Sequence, residues 1–268
     1  MSIYTINPST DKQIEITVDE YGSGHPFLLL HGGAGPQSMT GFAQRLAASE
    51  NVHVMVPTHP GFGGTNRPDW VNSIGTLADI YVALIDQLDL RDVTVVGSSI
   101  GGWIAAEMAL RGSSHLRNFI LIDAVGIAVA GQSVADIFSM TMDELAELSY
   151  HNPAAFRIDP TAMTDIQKRG MAANRQALAV YGGQPTKADP TLVTRLAAVT
   201  APTLVLWGDS DGIVTPDYGR AYADAIPTAE FQLLSNCGHL PQIESPDQVL
   251  TAIRNFVNVV ATTHPNTH

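Results

Sequence analysis

The chain has 268 residues, 45% of them hydrophobic and 15% charged, with a formal net charge of −12. This is the composition of a globular chain long enough for one large α/β domain with an insertion, and it excludes disorder. A surface this acidic, with only three lysines (Lys12, Lys168 and Lys187), repels phosphate backbones, so neither nucleic acid nor an anionic membrane is expected as a partner.

A single cysteine, Cys237, cannot form an internal disulfide. Residues 1–10 lack the basic and then apolar pattern of a secretory leader, and no apolar run approaches the ~18–20 residues of a membrane span. The expectation is a cytoplasmic protein, monomer or homodimer, acting on a small molecule with neither cofactor nor metal.

Taken in order, residues 13–18 alternate polar and apolar and predict a half-exposed edge strand. Residues 26–30 are continuously apolar, which predicts a strand buried on both faces. That strand stops at the glycine-rich loop 31–36, where backbone can approach a ligand closely. A helix is predicted over 39–48 and a strand over 52–57. A second glycine-rich loop follows at 59–65, without the spacing of a phosphate cradle. Apolar residues at 77, 80, 81, 84, 85 and 88 predict an amphipathic helix over 74–90.

Val93, Val95 and Val96 then lead into Gly97-Ser98-Ser99-Ile100-Gly101, and 100–109 reads as a helix. A strand that reverses into a helix with a serine at the apex holds that serine in a strained conformation, and small neighbours are needed on both sides. The hydroxyl of Ser99 would stand at the strand's carboxyl end, in front of the unpaired N–H groups of a helix start.

A further strand is predicted over 119–122, ending at Asp123. The strand–helix rhythm to this point argues for a mostly parallel, doubly wound sheet. From 124 to 199 it breaks: the sequence predicts helices over 134–138, 142–150, 160–181 and 191–198, and no strand. It resumes with a strand over 203–207, a helix over 217–225 and a strand over 230–234. Ser245-Pro246-Asp247-Gln248 then predicts a capped start to a last helix, followed by a polar tail from 262 that is expected to fray. The organisation is thus a core of 1–123 and 200–268 interrupted by a helical cap of 124–199.

Two late loops, each after a strand, hold an acid and a histidine: Asp209-Ser210-Asp211 and Cys237-Gly238-His239. Ligands of open α/β sheets bind at such carboxyl ends. Ser99, Asp211 and His239 stand in the chain order Ser, Asp, His. Cys237 and His239 alone are neither a metal set nor a dyad, since further ligands are missing. His53 and His59 read as structural or pocket-lining. Trp103 and Trp207 read as core.

With these motifs in hand, the chain resembles the serine-dependent members of the α/β-hydrolase fold superfamily. The resemblance rests on HGG at 31–33, PGFG at 60–63, GSSIGG at 97–102, WGDSDGIVTP at 207–216 and GHLPQIESP at 238–246, five motifs in the family's order. It implies an eight-stranded, mostly parallel sheet flanked by helices, with a helical lid inserted after the sixth core strand. It implies Ser99 as nucleophile, His239 as base and then acid, and Asp211 as the residue that fixes the imidazole tautomer. Asp123 and Asp209 remain alternatives for the acid. The backbone N–H groups of Gly33 and Ile100 would form the oxyanion hole. Gly32, Ser98, Trp103, Phe138 and Leu240 are candidates for the substrate pocket.

The activity expected is hydrolysis of a small, largely apolar ester through an acyl-serine. Hydrolysis of a carbon–carbon bond in a diketone-like substrate is the alternative within the fold, and Arg157, Arg169 and Arg175 of the cap could hold a carboxylate. The sequence departs from that group at Leu240, where it usually has tryptophan, and at Ser98, where it usually has asparagine. A serine at the apex argues against the relatives that use an aspartate nucleophile. A ligand receptor with little turnover is the remaining reading.

Overall fold

Leu28 and Leu30 belong to the core on one side of their strand and Leu29 to the core on the other, and all three are fully buried. The same division runs through the neighbouring strands, where Val95, Leu121 and Val205 face one way and Val96, Ile120 and Leu206 the other. A sheet covered on both faces follows directly from strands that are apolar at every position.

A computed structural model describes residues 1–183 and 188–263. Its strands are β1 (Ser2–Ser9), β2 (Lys12–Gly22), β3 (His25–Leu30), β4 (Val52–Pro57), β5 (Val93–Ser98), β6 (Leu116–Ile122), β7 (Thr203–Gly208) and β8 (Ala229–Leu234). They form one sheet in the order β1-β2-β4-β3-β5-β6-β7-β8. The pairs β1·β2 and β2·β4 are antiparallel and the others are parallel.

Helices α1 (Gln37–Ser49) and α10 (Pro246–Thr263) cover one face through Met39, Phe42, Leu46, Ile253 and Phe256. Helices α2 (Ile74–Gln87), α3 (Ile100–Arg111) and α8 (Pro216–Ala225) cover the other through Leu77, Tyr81, Ile104, Tyr218 and Tyr222. Between β6 and β7 the described residues form helices α4 (Met142–Ser149), α5 (Pro153–Phe156), α6 (Asp165–Gly182) and α7 (Leu192–Leu196). The described residues of this insertion add no strand to the sheet, only one isolated bridge between Ile127 and Asp189. No helix among the described residues is long and apolar enough to cross a membrane.

Four expectations are corrected. Residues 13–18 lie in β2, an inner strand, because the unexpected β1 folds back on it and takes the edge. Residues 134–138 are not helical, since their backbone turns to the core instead: the amide of Ala135 donates to Ile213 O at 2.8 Å. The helix from 74 stops at Gln87, where Leu88 and then Asp89, with φ 49°, leave the helical conformation. The side-chain Nε2 of Gln248 donates to Ser235 O at 3.0 Å, so it reaches the loop after β8 rather than back to a cap; a short helix α9 (Pro241–Glu244) was not foreseen. Of the tail expected to fray, Thr262 and Thr263 belong to α10; residues 264–268, like Lys187, lie outside the described residues.

Candidate active site

β5 ends at Ser98 and α3 begins at Ile100, which leaves Ser99 alone at the corner with φ 55° and ψ −117°. A left-handed φ on a serine costs about 1–3 kcal/mol and persists only where the surroundings enforce it. Here two close backbone approaches do so. A Cβ on Gly97 would lie 2.1 Å from Gly101 O, and one on Gly101 would lie 2.1 Å from Leu30 O. The amide of Ser99 donates to Ile122 O at 2.9 Å and its carbonyl accepts from the amide of Gly102 at 3.0 Å. The corner is fixed at both ends.

The structure brings Ser99, His239 and Asp211 together across 140 residues of chain. His239 Nε2 lies 3.0 Å from Ser99 Oγ, and His239 Nδ1 lies 2.8 Å from Asp211 Oδ2. An ionised carboxylate only accepts, so Nδ1 carries the imidazole proton and Nε2 is left to accept from the serine hydroxyl. Asp211 is itself held: its Oδ1 accepts from the amides of Ile213 at 2.8 Å and Val214 at 3.0 Å. Asp211 and His239 are buried, while Ser99 is half-exposed. A hydroxyl facing solvent beside a neutral imidazole of fixed tautomer can lose its proton as it attacks a carbonyl.

The loop after β3 lies against this corner. A Cβ on Gly32 would touch Ser99 Cβ at 3.0 Å. Among the described residues no carbonyl or side chain accepts from the amides of Gly33 and Ile100. N–H groups left without an acceptor in the loop beside Ser99 and at the start of α3 are of the kind that can receive an oxyanion. The loop is anchored from behind by His31, whose Nδ1 donates to Gly32 O at 2.8 Å and whose Nε2 accepts the amide of His59 at 3.1 Å. His59 stacks on His31 at 3.7 Å, donates from Nε2 to His31 O at 2.9 Å and accepts from the Tyr81 hydroxyl. Complete burial pushes His31 down to about 4, and His59 well below the usual histidine value. Both stay neutral, as these bonds require. Sequence reasoning reads His59 as structural or pocket-lining and misses the pairing, because its partners His31 and Tyr81 lie far from it in the chain.

The insertion touches the site at two places. From α6, Asn174 donates to Ala34 O at 3.0 Å and accepts the amide of Gly63 at 2.7 Å, while Tyr181 donates to Pro60 O at 2.8 Å. Leu178 packs on Gly33. From the end of α4, Leu148 O accepts the amide of Gly212 at 2.9 Å and Ser149 O accepts that of His239 at 2.8 Å. Nothing in the residue pattern had marked Asn174, and Glu244 stood in the 238–246 motif without a role; its carboxylate accepts from the amides of Gly238, His151 and Asn152.

The pocket candidates fall in different surroundings. Gly32 borders Ser99, and half-buried Leu240 follows His239 directly. Ser98 is fully buried and its hydroxyl accepts from Gln242 at 3.3 Å. Trp103 is core, with Gly126 against its ring. Phe138 lies in the insertion beneath the Arg175 guanidinium, which also bonds its carbonyl. Arg157 is paired with Glu147 and Asp143.

Of the other acids, Asp209 turns away, accepting from the Ser210 hydroxyl at 2.8 Å and the amide of Cys237 at 3.3 Å. Asp123 lies beside Asp211. Asp123, Asp211 and His239 each bring one donor atom to within 4.8 Å of the others. Asp211 Oδ1 already accepts from the amides of Ile213 and Val214, and its Oδ2 already faces His239 Nδ1, so these donor atoms are engaged within the protein.

The chain matches the Alpha/beta hydrolase family over residues 27–252, and it belongs to that family. It is 27% identical to the 2-hydroxymuconate semialdehyde hydrolase of Pseudomonas putida, covering 89% of each chain. It is 25% identical to Lipase 3 of a Moraxella species, over 88% of this chain and 78% of that one. A thermophilic esterase from Thermogutta terrifontis superposes with a TM-score of 0.76 at 26% identity, over 97% of this chain and 99% of the esterase. The eight-stranded sheet and its flanking helices are therefore an α/β-hydrolase fold, as the five motifs implied.

Proposed function

We propose that the protein hydrolyses a small, largely apolar ester through an acyl-serine. The observation that carries this reading is the unbroken contact from Asp211 through His239 to Ser99, at 2.8 and 3.0 Å. Ser99 Oγ attacks the carbonyl carbon as its proton passes to His239 Nε2. Asp211 stabilises the imidazolium so formed. The amides of Ile100 and Gly33 take the oxyanion. His239 then returns the proton to the leaving alcohol, and water attacks the acyl-Ser99 by the same route in reverse.

The insertion of 124–199 serves as the cap. Leu178 and the end of α4 stand directly over the loops that hold Gly33 and His239, so access is to small molecules rather than to polymers.

A second reading, hydrolysis of a carbon–carbon bond next to a carbonyl, is favoured by the similarity to the semialdehyde hydrolase. It uses the same serine and histidine. Labelling with a fluorophosphonate probe tests the shared part: a single adduct on Ser99, absent from Ser99→Ala, is expected, and a folded wild-type protein that stays unlabelled would overturn both readings. Comparing short aryl and alkyl esters with vinylogous 1,5-diketones then separates them.

A further inference from the structure

β6 ends at Ile122, and the next residue, Asp123, has a left-handed backbone with φ 46° and a fully buried carboxyl. Its Oδ1 accepts the amide of Gly208 at 2.9 Å. Its Oδ2 is buried and receives no hydrogen bond from the protein. A carboxylate oxygen in that position would be a desolvated anion with no donor.

The surroundings add charge of the wrong sign. The titratable groups facing Asp123 are Asp211 and His239, with Cys237 beside them and Asp209 and Glu244 acting on the same loop. None is a lysine or arginine. Two carboxyl groups this close in a dry site share a proton rather than both ionising. The donors decide which one keeps it. Asp211 accepts three N–H bonds, from Ile213, Val214 and His239, which stabilise its anion. Asp123 accepts one. The proton therefore resides on the oxygen that has no other partner.

We propose that Asp123 is held as a neutral carboxylic acid whose O–H donates to Asp211, making it a positioning residue that steadies the triad acid from behind. This rests on the proposed role of Asp211. It also settles the competition between the two acids in chemical terms: one carries the charge and the other carries the proton. Burial and the neighbouring Asp211 push the Asp123 carboxyl well above the usual range, in the same direction.

Asparagine reproduces the neutral acid, with an oxygen for the Gly208 amide and an N–H for Asp211. Asp123→Asn should keep kcat/KM within about threefold of wild type, whereas Asp123→Ala, which loses the donor, should lower it about ten- to a hundredfold. A loss in Asp123→Asn as large as that in Asp211→Asn would overturn the proposal.

A second measurement needs no turnover. Above about pH 4 the native chain would hold a proton that the unfolded chain releases, so wild-type stability falls with pH relative to Asp123→Asn. The variant's unfolding midpoint should rise relative to wild type from about pH 4 to about pH 8; a constant difference would overturn the proposal. Infrared spectra of wild type with isotope-labelled aspartate give the same answer if the variant does not fold, through a protonated-carboxyl band at neutral pH, whose absence would also overturn it. These readouts stand even if Ser99 turns nothing over, so failure of the proposal and failure of the proposed function are separable.

Discussion

Glu244 Oε2 accepts the amide of Gly238 at 2.8 Å, one residue before the histidine that faces Ser99. The same carboxylate accepts from His151 and Asn152, just after α4 of the insertion. One half-buried side chain thus ties the histidine loop to the insertion between β6 and β7.

Removing that tie should misplace His239 without touching substrate. Glu244→Ala leaves three amides without their acceptor and should cost about 1–3 kcal/mol of stability. Steady-state kinetics should show kcat falling by about ten- to a hundredfold, with KM changing less. An unchanged kcat would mean that the loop holds its position without Glu244.

The acid assignment separates by neutral substitutions. Asp211→Asn should cost about 10⁴-fold in kcat, because an amide at that position favours the wrong imidazole tautomer. Asp209→Asn should cost less than about tenfold, since the Asp209 carboxylate bonds the Ser210 hydroxyl and the Cys237 amide and not His239. The reverse ranking would move the acid to Asp209.

The buried pair His31 and His59 makes stability depend on pH. Their folded values lie below the unfolded value of about 6.5, so the neutral forms contribute stability that is fully present above pH 6.5 and lost as pH falls toward 4. His31 alone accounts for about 3 kcal/mol across that window. Asp123 slopes the other way, so the Asp123→Asn background shows the effect unopposed. Imidazole NMR should find both rings neutral down to about pH 5; titration of either near 6.5 would contradict this.

If the insertion acts as the proposed cap, it limits substrate size, since α6 is bonded to Ala34, Gly63 and Pro60 in the loops near Ser99. Short aryl or alkyl esters should show the higher kcat/KM, and emulsified long-chain triglyceride the lower. Preference for the emulsion would contradict a cap that closes the groove.

Much of this was legible in the sequence because strong local signals agreed. The doubly apolar strands, the small residues flanking Ser99 and the two late loops each name a position without help from the rest of the chain. β1 was not legible, since only Ile6 of its residues is fully buried and its partner strand supplies the pairing. The resemblance points to Asp211 as the acid, but residue types alone leave Asp123 open beside it. Both end a strand or follow one closely, and only their unequal supply of N–H donors tells them apart. Residues 134–138 show the converse: helical spacing there yields to backbone bonding with the loop after Asp211.

The central claim is that Ser99 attacks the substrate carbonyl. Rapid quenching of a turnover with a chromogenic ester, followed by peptide mass analysis, tests it most directly. The account predicts an acyl group on the peptide bearing Ser99, accumulating before steady state when deacylation is slow and absent in Ser99→Ala. Product release at the wild-type rate from Ser99→Ala, or an acyl group carried on another residue, would contradict it.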